Sequence, residues 1–244
     1  MLKTPGIIIK EVDYRDNDKM ITLFSPEHGR IDALSRGCKK QGSKLMASSQ
    51  LFNCGEYLFN TRGEKNYHAG CEITHSFFGL RETAEKLFTA SFFVELAGVF
   101  IVPNQGDRRL YSLLLNSLFS LEKKLNDRTL IMQFFLIKFA DIAGLRPYVG
   151  KCMDCKKQEK SYYFYFDEGG VLCYECAKNT PGRKRRLSSN DIEIMKGILD
   201  KPSKAIREEK DFFYSKNLNE VMFIYLQDKS HQKIKSYELL RQFL

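Results

Sequence analysis

Two pairs of cysteines constrain this chain more than any other feature of its sequence. Cys152 and Cys155 form one CxxC pair, Cys173 and Cys176 form a second, and seventeen residues separate them. This spacing is typical of structural zinc sites, because each short turn directs two thiolates at one point and the two turns complete a tetrahedron. We therefore expect the four cysteines to bind one Zn²⁺ per chain and to leave no coordination position open for water.

The residues between the two pairs favour a zinc ribbon. Tyr162–Asp167 (YYFYFD) is typical of a strand, Glu168-Gly169-Gly170 of a turn, and Val171-Leu172 of a second strand. A thioredoxin-like redox pair is a weaker alternative, since it would follow a strand, open a helix and not be duplicated at this distance. Two disulfides are a further alternative.

The chain is expected to be a cytoplasmic protein. Its seven cysteines are an odd number, and four of them form CxxC pairs, which is how reduced proteins use cysteine. Charged residues interrupt the N-terminus before any secretion signal could form. The longest mostly apolar run, residues 92–102, is shorter than the ~20 residues that a membrane span needs.

The first 76 residues are predicted to be β-structure. Five short segments rich in β-branched and aromatic residues are separated by turn residues: Gly6–Tyr14, Met20–Ser25, Arg30–Ser35, Leu51–Thr61 and Tyr67–Thr74. Five strands over a segment of this length favour a small barrel, and the OB-fold is the commonest five-stranded form. An SH3-like barrel would give a similar pattern.

From about Phe77 the apolar residues repeat with the period of a helix. One stripe contains Leu110, Leu113, Leu114, Leu118, Leu121 and Leu125. The next predicted helix, Thr129–Ala143, is apolar on nearly all sides and should be buried, and Gly144 should end it. We predict an α+β protein with an OB-fold barrel (1–76), a helical domain (77–147), an inserted zinc ribbon (148–180) and a C-terminal helical part (181–244).

The charge balance favours a polyanionic partner. Lysine and arginine exceed aspartate and glutamate by 39 to 30, a net charge of +9. The candidate DNA-binding residues follow a predicted barrel strand and are Arg30, Arg36, Lys39, Lys40 and Lys44. The alternative is a solvated surface. A second basic run, Lys178 with Arg183–Arg186, is interpreted equally as a phosphate-binding or an exposed linker segment.

The sequence offers weaker support for base stacking by barrel aromatics and for catalysis. Phe24, Tyr57 and Phe59 are candidate surfaces for base stacking, although aromatics at alternating positions more often form a core. The four histidines are scattered, and the stretch from Gly37 to Lys44 resembles a phosphate loop with its last two residues reversed. We expect the chain not to be an enzyme.

Several stretches resemble the bacterial RecO family of recombination-repair proteins. They are Thr4–Ile8 at the start, Ile21–Gly29 in the second strand and its turn, and Ser35–Lys40 with Ser43-Lys44 in the basic segment. Gly144-Leu145-Arg146-Pro147 precedes the first cysteine pair, and Gly169–Cys173 leads into the second. The resemblance covers most of the chain up to about Cys176.

This resemblance implies an OB-fold that binds single- and double-stranded DNA and anneals complementary strands without nucleotide hydrolysis. It also implies two partners, RecR and the acidic C-terminal tail of single-strand binding protein, and a place at the bacterial nucleoid. The competing hypothesis is a zinc-ribbon module that binds other proteins, for which the basic charge only aids solubility. An enzyme with an unrecognised site is a third hypothesis.

Overall fold

The computed structural model describes residues 1–209, 212–240 and 242, which form two compact units. The first unit contains Met1–Glu122 and a C-terminal segment that begins at Ile234, and the second runs from Lys123 to Lys233. The bounds of the four segments expected from the sequence remain predictions.

A closed five-stranded barrel forms the first part of the chain. Its strands are β1 (Leu2–Tyr14), β2 (Asp18–Ser25), β3 (Gly29–Ser35), β4 (Cys54–Arg62) and β5 (Lys65–His75). Their order around the barrel is β1-β2-β3-β5-β4, with β1 pairing both β2 and β4. Only the contact between β3 and β5 is parallel among these pairs. The predicted five-stranded barrel is therefore confirmed, with the strand number of an OB-fold.

Alternating side chains on these strands fill the barrel. In β3, Ile31 and Ala33 point inward and are buried, whereas Arg30 and Asp32 point outward. The core cluster consists of Ile8, Ile21, Leu23, Ile31, Ala33, Tyr57 and Phe59. Cys38 and Cys54 are buried, and Cys71 packs against the core, as expected for cysteines that act as small apolar residues.

Three helices belong to the first unit: α1 (Ala84–Phe100), α2 (Arg108–Lys123) and α8 (Lys235–Leu240). The predicted leucine stripe is buried along α2, although Leu125 lies beyond the end of that helix. Glu95 of α1 accepts the backbone N–H groups of Lys235 and Ser236 at 2.9 and 2.7 Å. A carboxylate at the first turn of α8 satisfies orphan donors there and ties the C-terminal segment to α1.

The second unit contains five helices among the residues described: α3 (Arg128–Ile142), α4 (Tyr174–Asn179), α5 (Ser189–Leu199), α6 (Ala205–Glu208) and α7 (Lys216–Ser230). Helix α3 is buried on nearly all sides, as its composition predicts, and Gly144 follows it with a φ of +77°. Ser188 and Asp191 form a capping box at the start of α5. The buried face of α7 includes Leu218, Val221, Met222 and Tyr225.

A three-stranded sheet in the second unit has the order β7-β6-β8. The two expected strands are β6 (Tyr162–Tyr165) and β7 (Gly170–Leu172), and the third is β8 (Lys184–Leu187). Both neighbours of β6 are antiparallel to it. The basic run 183–186, interpreted from the sequence as a phosphate-binding or linker segment, thus contributes a strand of the sheet. We call residues 148–187 the ribbon.

Across the described part of the chain, the helices are all too short or too polar to pass through a lipid bilayer.

A buried histidine forms a polar cluster inside the barrel. His68 of β5 is 5% exposed and packs beside the rings of Tyr57 and Phe59. Its Nδ1 atom is 3.1 Å from the Ser35 hydroxyl, and its Nε2 atom is 3.4 Å from the Ser48 hydroxyl. Burial lowers the pKa of His68 from 6.5 to about 4, because the apolar surroundings disfavour the imidazolium.

This depressed pKa predicts acid sensitivity of the barrel. The unfolded chain binds a proton at His68 below pH 6.5, whereas the folded chain resists it down to about pH 4. The stability due to neutral His68 is therefore complete above pH 6.5 and is lost as the pH falls toward 4, by about 2 kcal/mol between pH 7.5 and 5. Hydrogen exchange of β3 and β5 should show a steeper loss of protection in the parent than in His68→Gln. Equal losses in both proteins would contradict this prediction.

Candidate nucleic-acid interface and metal centre

The segment between β3 and β4 contains four of the five candidate DNA-binding residues. We call residues 36–46 the basic segment; it is a series of turns that ends in a 3-10 helix at Ala47–Ser49. Gly37 and Gly42 have φ values of +63° and +76°. Because these values strain any residue with a Cβ, the two glycines are required by the path of the turns.

Hydrogen bonds tie the basic segment to the turn that joins β1 and β2. The Gly37 N–H donates to Asp18 Oδ1 at 2.8 Å, and the Lys39 N–H donates to the Asn17 carbonyl at 3.0 Å. Cys38, which lies between them, is buried. The loop between strands 1 and 2 is one of the elements that OB-folds use to bind oligonucleotides. The fold therefore places the basic segment beside a typical binding loop.

The candidate cations differ in whether a carboxylate already neutralises them. Lys39 forms an ion pair with Asp13 at 2.9 Å. Within the described ranges, Arg36, Lys40 and Lys44 are exposed and form no ion pair with a carboxylate. The Arg36 guanidinium lies 4.6 Å from the centre of the Tyr67 ring, a cation–π contact that leaves its charge available.

Arg30 lies apart from the other four candidates. It is at the start of β3 and Arg36 follows the end of that strand, a separation of about 20 Å along an extended chain. The Arg30 Nε atom is 2.9 Å from Asp32 Oδ2, and Asp32 also accepts the Thr22 hydroxyl at 2.6 Å. The structure therefore groups Arg36, Lys39, Lys40 and Lys44 in one segment and places Arg30 elsewhere with its charge paired.

Three further exposed cations, which are not among the sequence candidates, lie at barrel loops of the kind that OB-folds use to bind oligonucleotides. Arg15 lies exposed in the β1–β2 turn with its guanidinium 5.3 Å from the Tyr14 ring centre. Arg62 and Lys65 flank the β4–β5 turn, and both are exposed. Acidic neighbours such as Asp16 hide Arg15 in a sequence search for basic runs. Assigning the β1–β2 and β4–β5 loops as OB-fold binding loops would have found all three.

The three barrel aromatics considered as stacking surfaces from the sequence are not accessible to bases. Phe24, Tyr57 and Phe59 are completely buried, so the alternative that they stack on bases is excluded and the core interpretation is correct. Tyr14 and Tyr67 are the accessible aromatic rings near the basic segment.

The four cysteines of the two CxxC pairs converge at one point. Their sulfur atoms all lie within 4.8 Å of one another, and Cys155 Sγ is 3.7 Å from Cys173 Sγ. A tetrahedron with Zn–S bonds of ~2.3 Å has edges of about 3.8 Å, so the sulfur spacing fits a four-coordinate ion. These residues are close enough to bind a metal ion.

Two backbone turns create this convergence. Cys152 and Cys155 lie on a turn in which the Lys156 N–H donates to the Cys152 carbonyl at 3.0 Å. Cys173 is the N-cap of α4, and Cys176 lies in that helix. The Met153 N–H donates to the Val171 carbonyl at 2.8 Å, which attaches the first turn to β7.

Ionisation of one thiol of the cluster disfavours ionisation of another, as the charge of Cys152 does for Cys176. Burial opposes ionisation of Cys152, but the backbone N–H groups of Cys173, Cys155 and Asp154 lower the pKa of its thiol to about 7. Hydrogen bonding to Cys173, together with burial, raises the pKa of Cys176 to about 12. A bound divalent cation would favour ionisation of all four thiols, because a coordinating thiol is deprotonated outright.

The second basic run has structural partners within its own unit. Arg183 forms an ion pair with Asp228 of α7, and its guanidinium lies 4.8 Å from the Phe166 ring centre. Arg185 contacts Glu220 of α7 at 2.6 Å, and Lys184 donates to the Gly182 carbonyl at 2.9 Å. These contacts hold β8 against α7. Arg186 remains exposed.

Comparison with known proteins agrees with this architecture. The family model described as "Recombination protein O N terminal" matches residues 1–77, and the one described as "Recombination protein O C terminal" matches residues 81–210. DNA repair protein RecO of Caldicellulosiruptor saccharolyticus is 30% identical over 91% of this chain and 88% of its own length. The RecO proteins of Acetivibrio thermocellus and Bacillus subtilis are 30% and 31% identical, over 93% and 75% of this chain and 98% and 71% of their own lengths. The chain belongs to the RecO family of DNA repair proteins.

Proposed function

We propose that this chain binds single- and double-stranded DNA through the barrel and anneals complementary strands. The observation that carries the proposal is the basic segment, which holds Arg36, Lys40 and Lys44 exposed beside the β1–β2 loop. Lys39 joins them on DNA when phosphate competes with Asp13 for its ammonium group. Arg30 stays in the proposal as an outlying contact, since its ion pair with Asp32 is exposed.

Annealing needs two polyanions to approach with their bases free. Cations that contact phosphates reduce the repulsion between strands and carry no sequence information. The large aromatic residues Phe24, Tyr57 and Phe59 are buried in the barrel, so they leave bases free to pair. The reaction derives its free energy from base pairing, and the chain acts as a DNA repair mediator without hydrolysing nucleotide.

We also propose that the cysteine cluster binds a structural Zn²⁺. Four thiolate donors favour zinc among the common cellular cations, and they leave no open position for a reactive water. The ion would supply folding free energy to the ribbon, whose strands are short.

The partners proposed for the chain are RecR and the C-terminal tail of single-strand binding protein. For the tail, an open apolar groove in the second unit supports the proposal. It has a volume of about 440 Å³, and its lining consists of Ile194, Ile198, Phe212 and Phe213 together with Asn190, Glu193, Gly197 and Lys201. An apolar chain end would enter between the phenylalanines, and Lys201 would exchange its ion pair with Glu209 for an acid of the tail.

The first prediction from this proposal concerns the salt dependence of DNA binding. Changing Arg36, Lys40 and Lys44 together to Ala should flatten the slope of log K against log[salt] on single strands by about 2, at roughly 0.7 per phosphate contact. Annealing should slow, and binding should weaken equally for any base sequence. Fluorescence anisotropy at several salt concentrations measures the slope.

The matched control changes three exposed lysines of the second unit that lie outside the ribbon, Lys124, Lys196 and Lys204, to Ala. It removes the same charge and should leave the slope within a few tenths of the parent value. A control that loses binding while the barrel variant binds like the parent would place the DNA site outside the barrel. No binding by the parent at low salt would favour the protein-interaction module.

The zinc prediction is that the purified chain holds one Zn²⁺ and that Cys173→Ser loses it. Because metal binding stabilises the ribbon, hydrogen exchange should accelerate in residues 148–187 and stay unchanged in β1–β5. Elemental analysis and exchange mass spectrometry measure the two effects. The control, Cys71→Ala, removes a cysteine outside the cluster and should retain the metal. Protein prepared without chelator that contains no metal would contradict the prediction.

The peptide prediction is that an acidic peptide with an apolar C-terminal end binds the groove. Phe213 is 71% exposed there and Phe78 of the first unit is 72% exposed, so the two provide matched variants. In isothermal titration, Phe213→Ser should weaken peptide binding at least tenfold, since it removes an apolar anchor, and Phe78→Ser should not. Equal binding of the peptide and a charge-matched scramble would mean charge attraction without a specific site.

A further inference from the structure

One face of the ribbon presents tyrosines that neither the core nor the metal cluster uses. Along β6, Tyr162 and Phe164 are buried, whereas Tyr163 and Tyr165 alternate with them and remain partly accessible. Tyr174, the first residue of α4, is 62% exposed, and its ring centre lies 6.3 Å from that of Tyr163. Two aromatic rings thus lie together at the protein surface, where burial gives them little stabilisation.

A polar pocket adjoins these rings. Arg186 is paired with Tyr163 in the register of β6 and β8, and it also lines an open pocket of about 540 Å³. Lys160, Ser188 and Ser189 line the same pocket. Neither Arg186 nor Lys160 forms an ion pair with a carboxylate in the part of the chain described here, and both are exposed.

Asp191 lines this pocket, and its carboxylate already accepts hydrogen bonds from neighbouring groups of the protein. Asp191 is 4% exposed, and its carboxylate accepts the Ser188 N–H at 2.9 Å and the Asn217 amide at 3.2 Å. It also accepts the Ser215 hydroxyl. The cations at the rim therefore face the solvent without a competing carboxylate, and the pocket suits an anion. Across residues 148–187, nine lysines and arginines outnumber five acids.

We infer that this ribbon face is a second binding surface for single-stranded nucleic acid. Unpaired bases stack on Tyr163 and Tyr174, and a neighbouring phosphate enters the pocket between Arg186 and Lys160. Stacking on tyrosine requires bases that are not already stacked in a duplex, so the surface selects single strands. The inference rests on the proposed function, since an annealing protein must hold strands whose bases are free.

A single-tryptophan variant tests this inference directly. The chain contains no tryptophan, so Tyr174→Trp introduces the only indole and keeps an aromatic ring at the position. Adding a single-stranded oligonucleotide labelled for anisotropy should quench the indole fluorescence over the same concentration range in which anisotropy rises. A duplex should raise anisotropy with little quenching. The control variant, Tyr214→Trp, places the indole at another partly exposed site of the second unit and should not be quenched.

Alanine variants measure the contribution to affinity. The double change Tyr163→Ala and Tyr174→Ala should weaken single-strand binding about tenfold or more and leave duplex binding within about twofold. Metal content of this variant, measured in parallel, shows whether the ribbon is intact. If the alanine variant retains its metal and binds single strands like the parent, the inference is overturned.

The outcomes separate this inference from the function on which it rests. Anisotropy that rises without quenching of Tyr174→Trp overturns the ribbon surface and leaves DNA binding by the barrel standing. Absence of any anisotropy change with the parent overturns both.

Discussion

Closure of the barrel depends on a short parallel contact between β3 and β5. Ala33 and Leu34 pair with Asn66 and Tyr67, and no other parallel pair is found among the described strands of the barrel. This contact brings Tyr67 beside the end of β3, where Arg36 begins the basic segment and stacks on the tyrosine ring. The start of the basic segment is therefore fixed by the same pairing that closes the barrel. A one-residue slip of β5 would turn Tyr67 inward and His68 outward.

Local sequence patterns predict most of the architecture. Alternating apolar residues indicate each barrel strand, and Gly144 and the Ser188–Asp191 capping box mark helix ends because their effects act within one turn. The cysteine cluster is predictable for the same reason, since each CxxC turn forms within four residues. Strand order and the OB-type closure depend on pairings between residues about 30 apart, which no local pattern specifies.

Long-range partners explain what the sequence could not show. The basic run at 183–186 lacks apolar alternation, so nothing local marks Lys184–Leu187 as a strand. Its partners, Glu220 and Asp228, lie more than 30 residues away on α7. Arg30 is near Lys39 and Lys40 in the sequence, but the extended strand β3 separates it from them in space. A count of charges cannot separate cations that are paired from those that remain available.

Charge pairing thus distinguishes the structural from the available cations in each unit. Acidic residues of α7 neutralise Arg183 and Arg185, whereas the next residue, Arg186, is exposed to solvent. In the barrel, Lys39 is paired with Asp13 and Lys40 next to it is not. Exposed pairs of this kind contribute little to stability, because solvent screens them. A phosphate can therefore displace such a carboxylate at a small cost in free energy. A paired cation that lies beside an unpaired one, as Lys39 lies beside Lys40, can thus become a further contact for a polyanion.

The two proposed surfaces differ in how they would hold a strand. The basic segment offers cations with few accessible rings, so a strand bound there keeps its bases available for pairing. The ribbon face offers Tyr163 and Tyr174 with fewer cations, so it would hold bases by their faces and release them when a complementary strand competes. Phosphate contacts weaken steeply with salt, whereas stacking does so much less. Raising the salt should therefore shift binding from the barrel toward the ribbon rather than abolish it uniformly.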